Sequence, residues 1–233
     1  GVVLHPGQKL LLERIEDKKT VPNLLHAVLV GADFFRKGGL QVLRVWDRLV
    51  AEHPELKLSI VSAMNVGDYA SQTDQHDLEE AHALISRHPQ QIQHFPILSN
   101  VQVLELLKEA DLALIPTWAD TYGYFVLEAQ AAGCPVITTN VRALPEINPE
   151  AAGWQIEVPR DNRGDGVLND ELDRKEFAEM VEAGLEQHLR EILNNPAVVR
   201  EKGAQAIERI RKDHNPREKA QQLEKWFIEI LGK

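Results

Sequence analysis

Two carboxylates eight positions apart, Asp120 and Glu128, flank a short run that contains Thr121, Tyr122, Gly123 and Tyr124. In an unbroken helix the two acids would sit a little over two turns apart, but Gly123 between them predicts a helix that begins there. Asp120 then belongs to the loop ahead of the helix and Glu128 to its second turn. The amide groups of residues 121–124 face out of such a helix start, where they attract an anion. Carboxylates on either side of that anion can accept hydrogen bonds from the hydroxyls of a ligand. A solvated helix face with a cap uses the same residue types, so the pair gains meaning only from its surroundings.

A second unusual stretch is GADFFRKGG at residues 31–39, where glycines bracket Arg36 and Lys37. Glycine lets backbone approach a phosphate closely, and the two cations neutralise it. No Lys–Ser/Thr pair follows at P-loop spacing, and the glycines do not fit the dinucleotide fingerprint. A third stretch, HFPILS at residues 94–99, is an uncharged turn whose Pro96, Ile97 and Leu98 suit the face and edges of a base. The nine histidines show no metal-ligand spacing, and the single Cys134, between Gly133 and an apolar run, reads as a buried, inert thiol. No metal and no tightly bound cofactor is expected.

These stretches need elements to hold them. Apolar runs at 24–31, 57–62, 91–95, 111–116, 135–139 and 153–158 have strand length, and several lack alternation, as in a parallel sheet covered on both faces. Between them, residues 39–53 place Leu40, Leu43, Trp46 and Leu49 or Val50 at helical spacing, away from Arg44, Asp47 and Arg48. Ser99 and Gln102 form a capping box ahead of a helix at 101–110, and Gly133 closes another at 124–132. The expectation is an α/β, Rossmann-like doubly wound parallel sheet of about six strands with helices on both faces and a helical C-terminal tail. The three chemical stretches all fall at strand-to-helix junctions, where open parallel sheets bind ligands. One domain over 1–233 is expected, with a start and linker at 1–23, a core at 24–172 and a tail at 173–233. A Gln/Asp/His-rich loop running into a helix at 67–89 and a polar segment at 160–173 read as surface excursions. The last helix carries Leu223, Trp226, Phe227, Ile230 and Leu231, a stripe that predicts packing on the sheet or docking to a neighbouring domain.

The 233 residues, 43% hydrophobic and 27% charged, describe a globular chain rather than a disordered or disulfide-stapled one. With 26 basic against 36 acidic residues the formal charge is −10, which argues against nucleic acid as a partner. No apolar run approaches the ~20 residues that cross a bilayer, and no positively charged start precedes an apolar stretch as in a signal peptide. One cysteine points to a reducing, cytoplasmic setting.

Taken in order, LVGADFFRKGG, ADLALIPTWADTYGYFVLEAQAAGCPVITTNVRALPEI and GWQIEV resemble the C-terminal, donor-binding domain of retaining GT-B glycosyltransferases of group 1, or family 4. The likeness covers roughly residues 24–158 and the tail more loosely. It implies metal-independent transfer of a hexose-type sugar from a nucleotide diphosphate donor to an acceptor hydroxyl, with retention. On the matching positions it implies Asp120 near the sugar hydroxyls and Glu128 on the ribose hydroxyls. The backbone of Tyr122, Gly123 and Tyr124 would face sugar and diphosphate, Lys37 would neutralise the diphosphate, and Pro96, Ile97 and Leu98 would meet the base. Two positions depart from the pattern. Ala32 stands where the family commonly has arginine, leaving Arg36 as the substitute, and Asp120 stands where glutamate is commoner. The family's N-terminal acceptor domain is the implied partner and has no counterpart among these strands, so the chain alone is expected to bind a nucleotide sugar without transferring it. The full enzyme would be cytoplasmic, with room for peripheral membrane association. Rival expectations are an epimerase-like enzyme on the same nucleotide sugar and a non-catalytic nucleotide-sugar-binding module.

Overall fold

The computed structural model describes residues 4–19, 21 and 25–232. Leu24, the expected start of the first strand, lies outside the described residues, as do the first three residues of the expected linker and Lys233. Strands and helices alternate as β1 (His26–Val30), α1 (Gly39–Val50), β2 (Lys57–Val61), α2 (Gln75–Arg87), β3 (Ile92–Phe95), α3 (Asn100–Glu109) and β4 (Leu112–Ile115). There follow α4 (Tyr124–Ala131), β5 (Val136–Thr139), the single turn α5 (Leu144–Ile147), β6 (Gly153–Ile156), α6 (Glu171–Asn194), α7 (Ala197–Asp213) and α8 (Pro216–Leu231).

The strands form one sheet in the order β3-β2-β1-β4-β5-β6, every neighbouring pair parallel. Continuous apolar runs made this sheet because both of its faces are covered: Val28, Leu29, Ile60 and Leu114 are fully excluded from water. Helices α1, α2 and α6 pack together on one side, and α3, α4 and α7 on the other. The fold is Rossmann-like, and the chain reverses its direction of sheet growth between β1 and β4.

Local signals in the sequence did what their chemistry dictates. Ser99 and Gln102 close the capping box of α3 in both directions. In α1, Leu40, Leu43, Trp46 and Leu49 are buried, while Arg44 reaches Glu80 of α2 and Glu182 of α6. Arg48 adds Glu182 and Glu186, so ion pairs fasten α1 on its outer side. Residues 67–74 form a surface turn ahead of α2, which Asp74 and Asp77 open with a second capping box.

The helical tail divides. α6 buries Phe177, Val181, Leu185, Leu189 and Ile192, and α7 buries Val199, Ala206, Ile207 and Ile210, so both belong to the core. The expectation that the α8 stripe packs on the sheet is not met: no described side chain of α8 is buried, and Leu223, Phe227, Ile228, Ile230 and Leu231 are exposed. Asn215 accepts the first amides of α8 and Pro216 fixes its first turn, so the helix is capped locally without being packed.

Candidate functional site

The loops that follow β1 and β4, the two strands at the switch point, meet over the C-terminal edge of the sheet. Phe34 and Phe35, packed edge to face and buried, pin the first loop into the core and leave Arg36 and Lys37 at its surface. The second loop is laced to it: Trp118 N–H donates to the Arg36 carbonyl at 2.8 Å, and Thr117 Oγ1 reaches the same carbonyl at 3.0 Å. Trp118 Nε1 donates to Gln41 Oε1 at 3.1 Å, which ties the second loop to α1 as well. Gly38, at φ +77, sits so close to the Pro116 carbonyl that a Cβ would lie 2.2 Å from its oxygen. Only glycine permits that approach and that dihedral.

Across this junction the Lys37 ammonium bonds the Asp120 carboxylate, and both side chains are largely sheltered from water, at 15% and 14% exposure. Asp120 also accepts the Tyr122 amide at 3.2 Å, which fixes the turn that leads into α4. α1 and α4 both start at left-handed glycines, Gly38 and Gly123, and neither start has a side-chain cap. The Gly39 amide that leads α1 is taken by the Phe34 carbonyl at 2.9 Å, whereas the leading amides of α4 have no side-chain acceptor.

Glu128 lies half-buried in the second turn of α4, and its carboxylate has no hydrogen bond or ion pair to any other described residue. Burial alone pushes its carboxyl pKa up. Arg36 is differently placed. Its guanidinium bonds Asp33 and donates to the Ala119 carbonyl at 3.1 Å, with the Tyr69 ring 5.8 Å away. Burial is the largest influence and works against its charge, but the Asp33 bond and the fields of Asp33, Tyr69 and Asp120 together outweigh it and push its pKa up. At the end of β3, Pro96 and Ile97 are exposed, Ile97 at 84%, and Leu98 is half-buried. The edge as a whole is an open shelf. Concavities of about 500 and 700 Å³ lie at the opposite edge of the sheet, beside Lys57, Asp111 and Lys18.

The profile of the family described as Glycosyl transferases group 1 matches residues 12–213. This chain belongs to the group 1 glycosyl transferases. A glycogen synthase of Mycobacterium tuberculosis is 27% identical over 79% of this chain and 37% of its own length. The chain spans about a third of the length of the curated relatives it matches. Among solved structures, the C-terminal domain of a glycosyl transferase group 1 family protein, LpcC, from Francisella tularensis shares the fold at a TM-score of 0.62 and 13% identity, over 92% of this chain and 99% of that one. Anabaena HepE, solved in complex with UDP and glucose, shares it at a TM-score of 0.66 and 14% identity, over 97% of this chain and 56% of that one.

Within this group 1 glycosyl transferase the structure brings Lys37, Asp120, Thr121, Tyr122, Gly123 and Tyr124 to one junction, with Arg36 beside them and Glu128 in the helix that follows. Pro96, Ile97 and Leu98 lie two strands away from β1 at the same edge of the sheet. Two further residues, neither of them a site candidate in the sequence, take part. His5 Nδ1 lies 2.9 Å from the Tyr122 hydroxyl and its Nε2 3.0 Å from Glu146, so the segment before the sheet braces the glycine turn. Burial, with Glu146 and Tyr124 near, pushes the Tyr122 hydroxyl up to about 12, although Arg209 opposes it, and keeps the phenol neutral. The other is Asp33, whose three-residue spacing from Arg36 was a readable ion-pair signal.

Other buried polar groups serve the scaffold. Cys134 is fully buried and donates to the Ala110 carbonyl at 3.0 Å, and burial pushes its thiol pKa up. The Lys18 ammonium, nearly fully buried, donates to the carbonyls of Leu107 and Ala132 at 3.0 and 2.8 Å, closing the ends of α3 and α4. Among the described residues no group of three or more His, Cys, Asp or Glu side chains is arranged to hold a metal. No helix among them is long and apolar enough to cross a membrane.

Proposed function

We propose that this chain is the donor-binding domain of a retaining glycosyltransferase and holds a nucleotide diphosphate sugar across the strand ends. The observation that carries the reading is the junction at the switch point, where Lys37 and the uncapped start of α4 converge beside Asp120. The diphosphate lies at Lys37 and the start of α4, displacing Asp120 from the ammonium. Asp120 then turns to the hydroxyls of the transferred sugar, and Glu128, whose carboxylate lacks a partner, takes the ribose hydroxyls. As the sugar leaves, negative charge grows on the diphosphate, and Lys37 with the helix amides stabilises it more than the ground state. Arg36 holds the two loops in register from Asp33 and Ala119. Family membership and a fold shared with a protein solved with UDP and glucose support the reading.

Transfer itself uses a second, acceptor-binding domain facing this shelf, and we place the enzyme in the cytoplasm, in keeping with one buried, reduced cysteine. Calorimetric titration of the chain with UDP, GDP, ADP and their common sugar derivatives tests the donor site. One nucleotide series is expected to bind, and Lys37→Ala and Glu128→Ala are each expected to weaken it about tenfold or more, as the loss of a charged hydrogen-bonding partner does. Binding that neither substitution weakens, or none up to millimolar ligand, would sink the proposal.

A further inference from the structure

We infer that His5 is a positioning residue for donor binding: through the Tyr122 hydroxyl it holds the start of α4 in place for the diphosphate. The inference rests on the donor-site reading and gives a role to a segment that the sequence presents only as a start and linker.

The start of α4 needs a hold of this kind. Its N-cap, Gly123, is left-handed at φ +87, and no side chain caps the helix. Leu144 and Ile147 pack so closely on Gly123 that a Cβ there would lie 2.7 and 3.1 Å from them, which seats the turn without engaging its polar groups. Asp120 Oδ1 accepts the Tyr122 amide at 3.2 Å and fixes the turn from the ligand side. That hold is given up when the diphosphate takes Lys37 and Asp120 turns to the sugar. Among the described residues, the Tyr122 hydroxyl is the only side-chain group of residues 121–124 with a hydrogen-bond partner, His5 Nδ1 at 2.9 Å. The tether away from the ligand thus stays when the tether beside it lets go.

Chemistry sets the direction of the bonds. A carboxylate only accepts, so Glu146 takes the proton of His5 Nε2, at 3.0 Å, and Nδ1 keeps a lone pair for the Tyr122 O–H. The phenol, whose pKa burial pushes up to about 12, has its proton to give. His5 is itself anchored. The Pro6 carbonyl accepts from His214 Nδ1 at 2.8 Å, and the Gln8 amide donates to the His214 carbonyl at 2.7 Å. The rings of His5 and His214 meet edge to face with centroids 5.5 Å apart. Farther along, the amides of Leu11 and Leu12 both donate to the carbonyl of Ala131, the last residue of α4, at 2.9 and 3.1 Å. Residues 5–12 therefore grip α4 at both of its ends, and a strap fixed at His214 and Ala131 delivers His5 to one position.

The test titrates UDP, GDP and ADP into the full chain and into His5→Ala, His5→Asn, His5→Gln, Tyr122→Phe, the double variant His5→Ala with Tyr122→Phe, and Lys37→Ala. Asn keeps an acceptor where Nδ1 stands and Gln keeps a donor where Nε2 stands, so the two separate the tether to Tyr122 from the bond to Glu146. His5→Ala and Tyr122→Phe should each weaken the bound nucleotide about fivefold, the range of one neutral hydrogen bond. The double variant should lose no more than either alone, because both remove the same bond. His5→Asn should return the affinity to within about twofold of wild type, and His5→Gln should not. A bond that serves stability alone would lower the unfolding midpoint of His5→Ala and leave the affinity of the folded protein unchanged, which overturns the inference. Losses that add in the double variant, or rescue by Gln rather than Asn, overturn it as well. Each of these outcomes leaves the donor-site reading standing where Lys37→Ala still weakens binding. A wild-type chain that binds no nucleotide up to millimolar ligand overturns that reading and the role of His5 with it.

Discussion

Glu128 and Gln130 stand two residues apart on α4, and their surroundings could hardly differ more. Gln130 is fully buried and every polar atom is used: Nε2 donates to the Ile147 carbonyl at 3.0 Å and to Asn148 Oδ1 at 3.2 Å, and Oε1 accepts from Arg209 at 3.0 Å. Asn148, also fully buried, passes its own amide hydrogens to the Val136 and Trp154 carbonyls and to Thr138 Oγ1, at 3.0, 3.1 and 3.0 Å. Glu128, on the other side of the same helix, has none of this. Two residues in a helix differ by about 200° in direction, so α4 turns a closed polar network to the sheet's interior and an open carboxylate away from it. Closed networks hold a fold together, whereas a sheltered, unpaired charge costs stability and persists where a ligand completes it.

The largest expected effect breaks the closed side. Asn148→Ala takes the amide donor from the buried Val136 and Trp154 carbonyls and one of two acceptors from the Gln130 amide, and should cost about 2–4 kcal/mol in a denaturant titration, with the nucleotide affinity of the folded protein unchanged. A loss below about 1 kcal/mol would remove the distinction between the two sides. His214 sharpens it. This fully buried ring lies 2.8 Å from the Pro6 carbonyl through Nδ1, and its Nε2 has no partner among the described residues. Burial, reinforced by Arg209 and His5 and opposed by the Pro6 bond and Asp213, pushes its pKa down to about 4. The unfolded chain therefore takes up the proton first, near pH 6.5. The stability this neutral ring contributes is complete above that pH and is lost as pH falls from 6.5 towards 4. The loss should be of the order of 2 kcal/mol, and it should be absent in His214→Asn, which keeps a donor for Pro6.

The smallest effect has the opposite sign. Because burial raises the Glu128 pKa, the ionised carboxylate is a cost to the fold at neutral pH, and that cost fades as pH drops through the raised value. Glu128→Gln should stabilise the chain by up to about 1 kcal/mol at pH 7 and by less in acid, while nucleotide binding weakens. Destabilisation by this substitution would class Glu128 with Gln130 as scaffold.

Much of this was legible in sequence where the governing physics is local. The capping box of α3 and the start of α4 at Gly123 depend on residues within one turn of each other, and the strands announce themselves by unbroken apolar runs. The site was legible as a set of residue types at strand ends, but not as pairings. Lys37 finds Asp120 from 83 positions away and His5 finds Tyr122 from 117, distances at which no periodicity carries information. Arg36 reads as a cation open to phosphate, yet a partner one turn upstream, Asp33, already holds it. The stripe on α8 shows that one face is apolar and says nothing of what, if anything, covers it.

That uncovered helix has a consequence in amide hydrogen exchange. Its 16 residues are protected by their own turns alone, and a helix of that length is marginal in water. The amides of α7, anchored through Ile207 and Ile210, open only when the core does. Exchange rates should therefore step upward across His214, within a few residues, and the step gives the molecule an internal clock: on one side the stability of the whole domain, on the other that of a single helix.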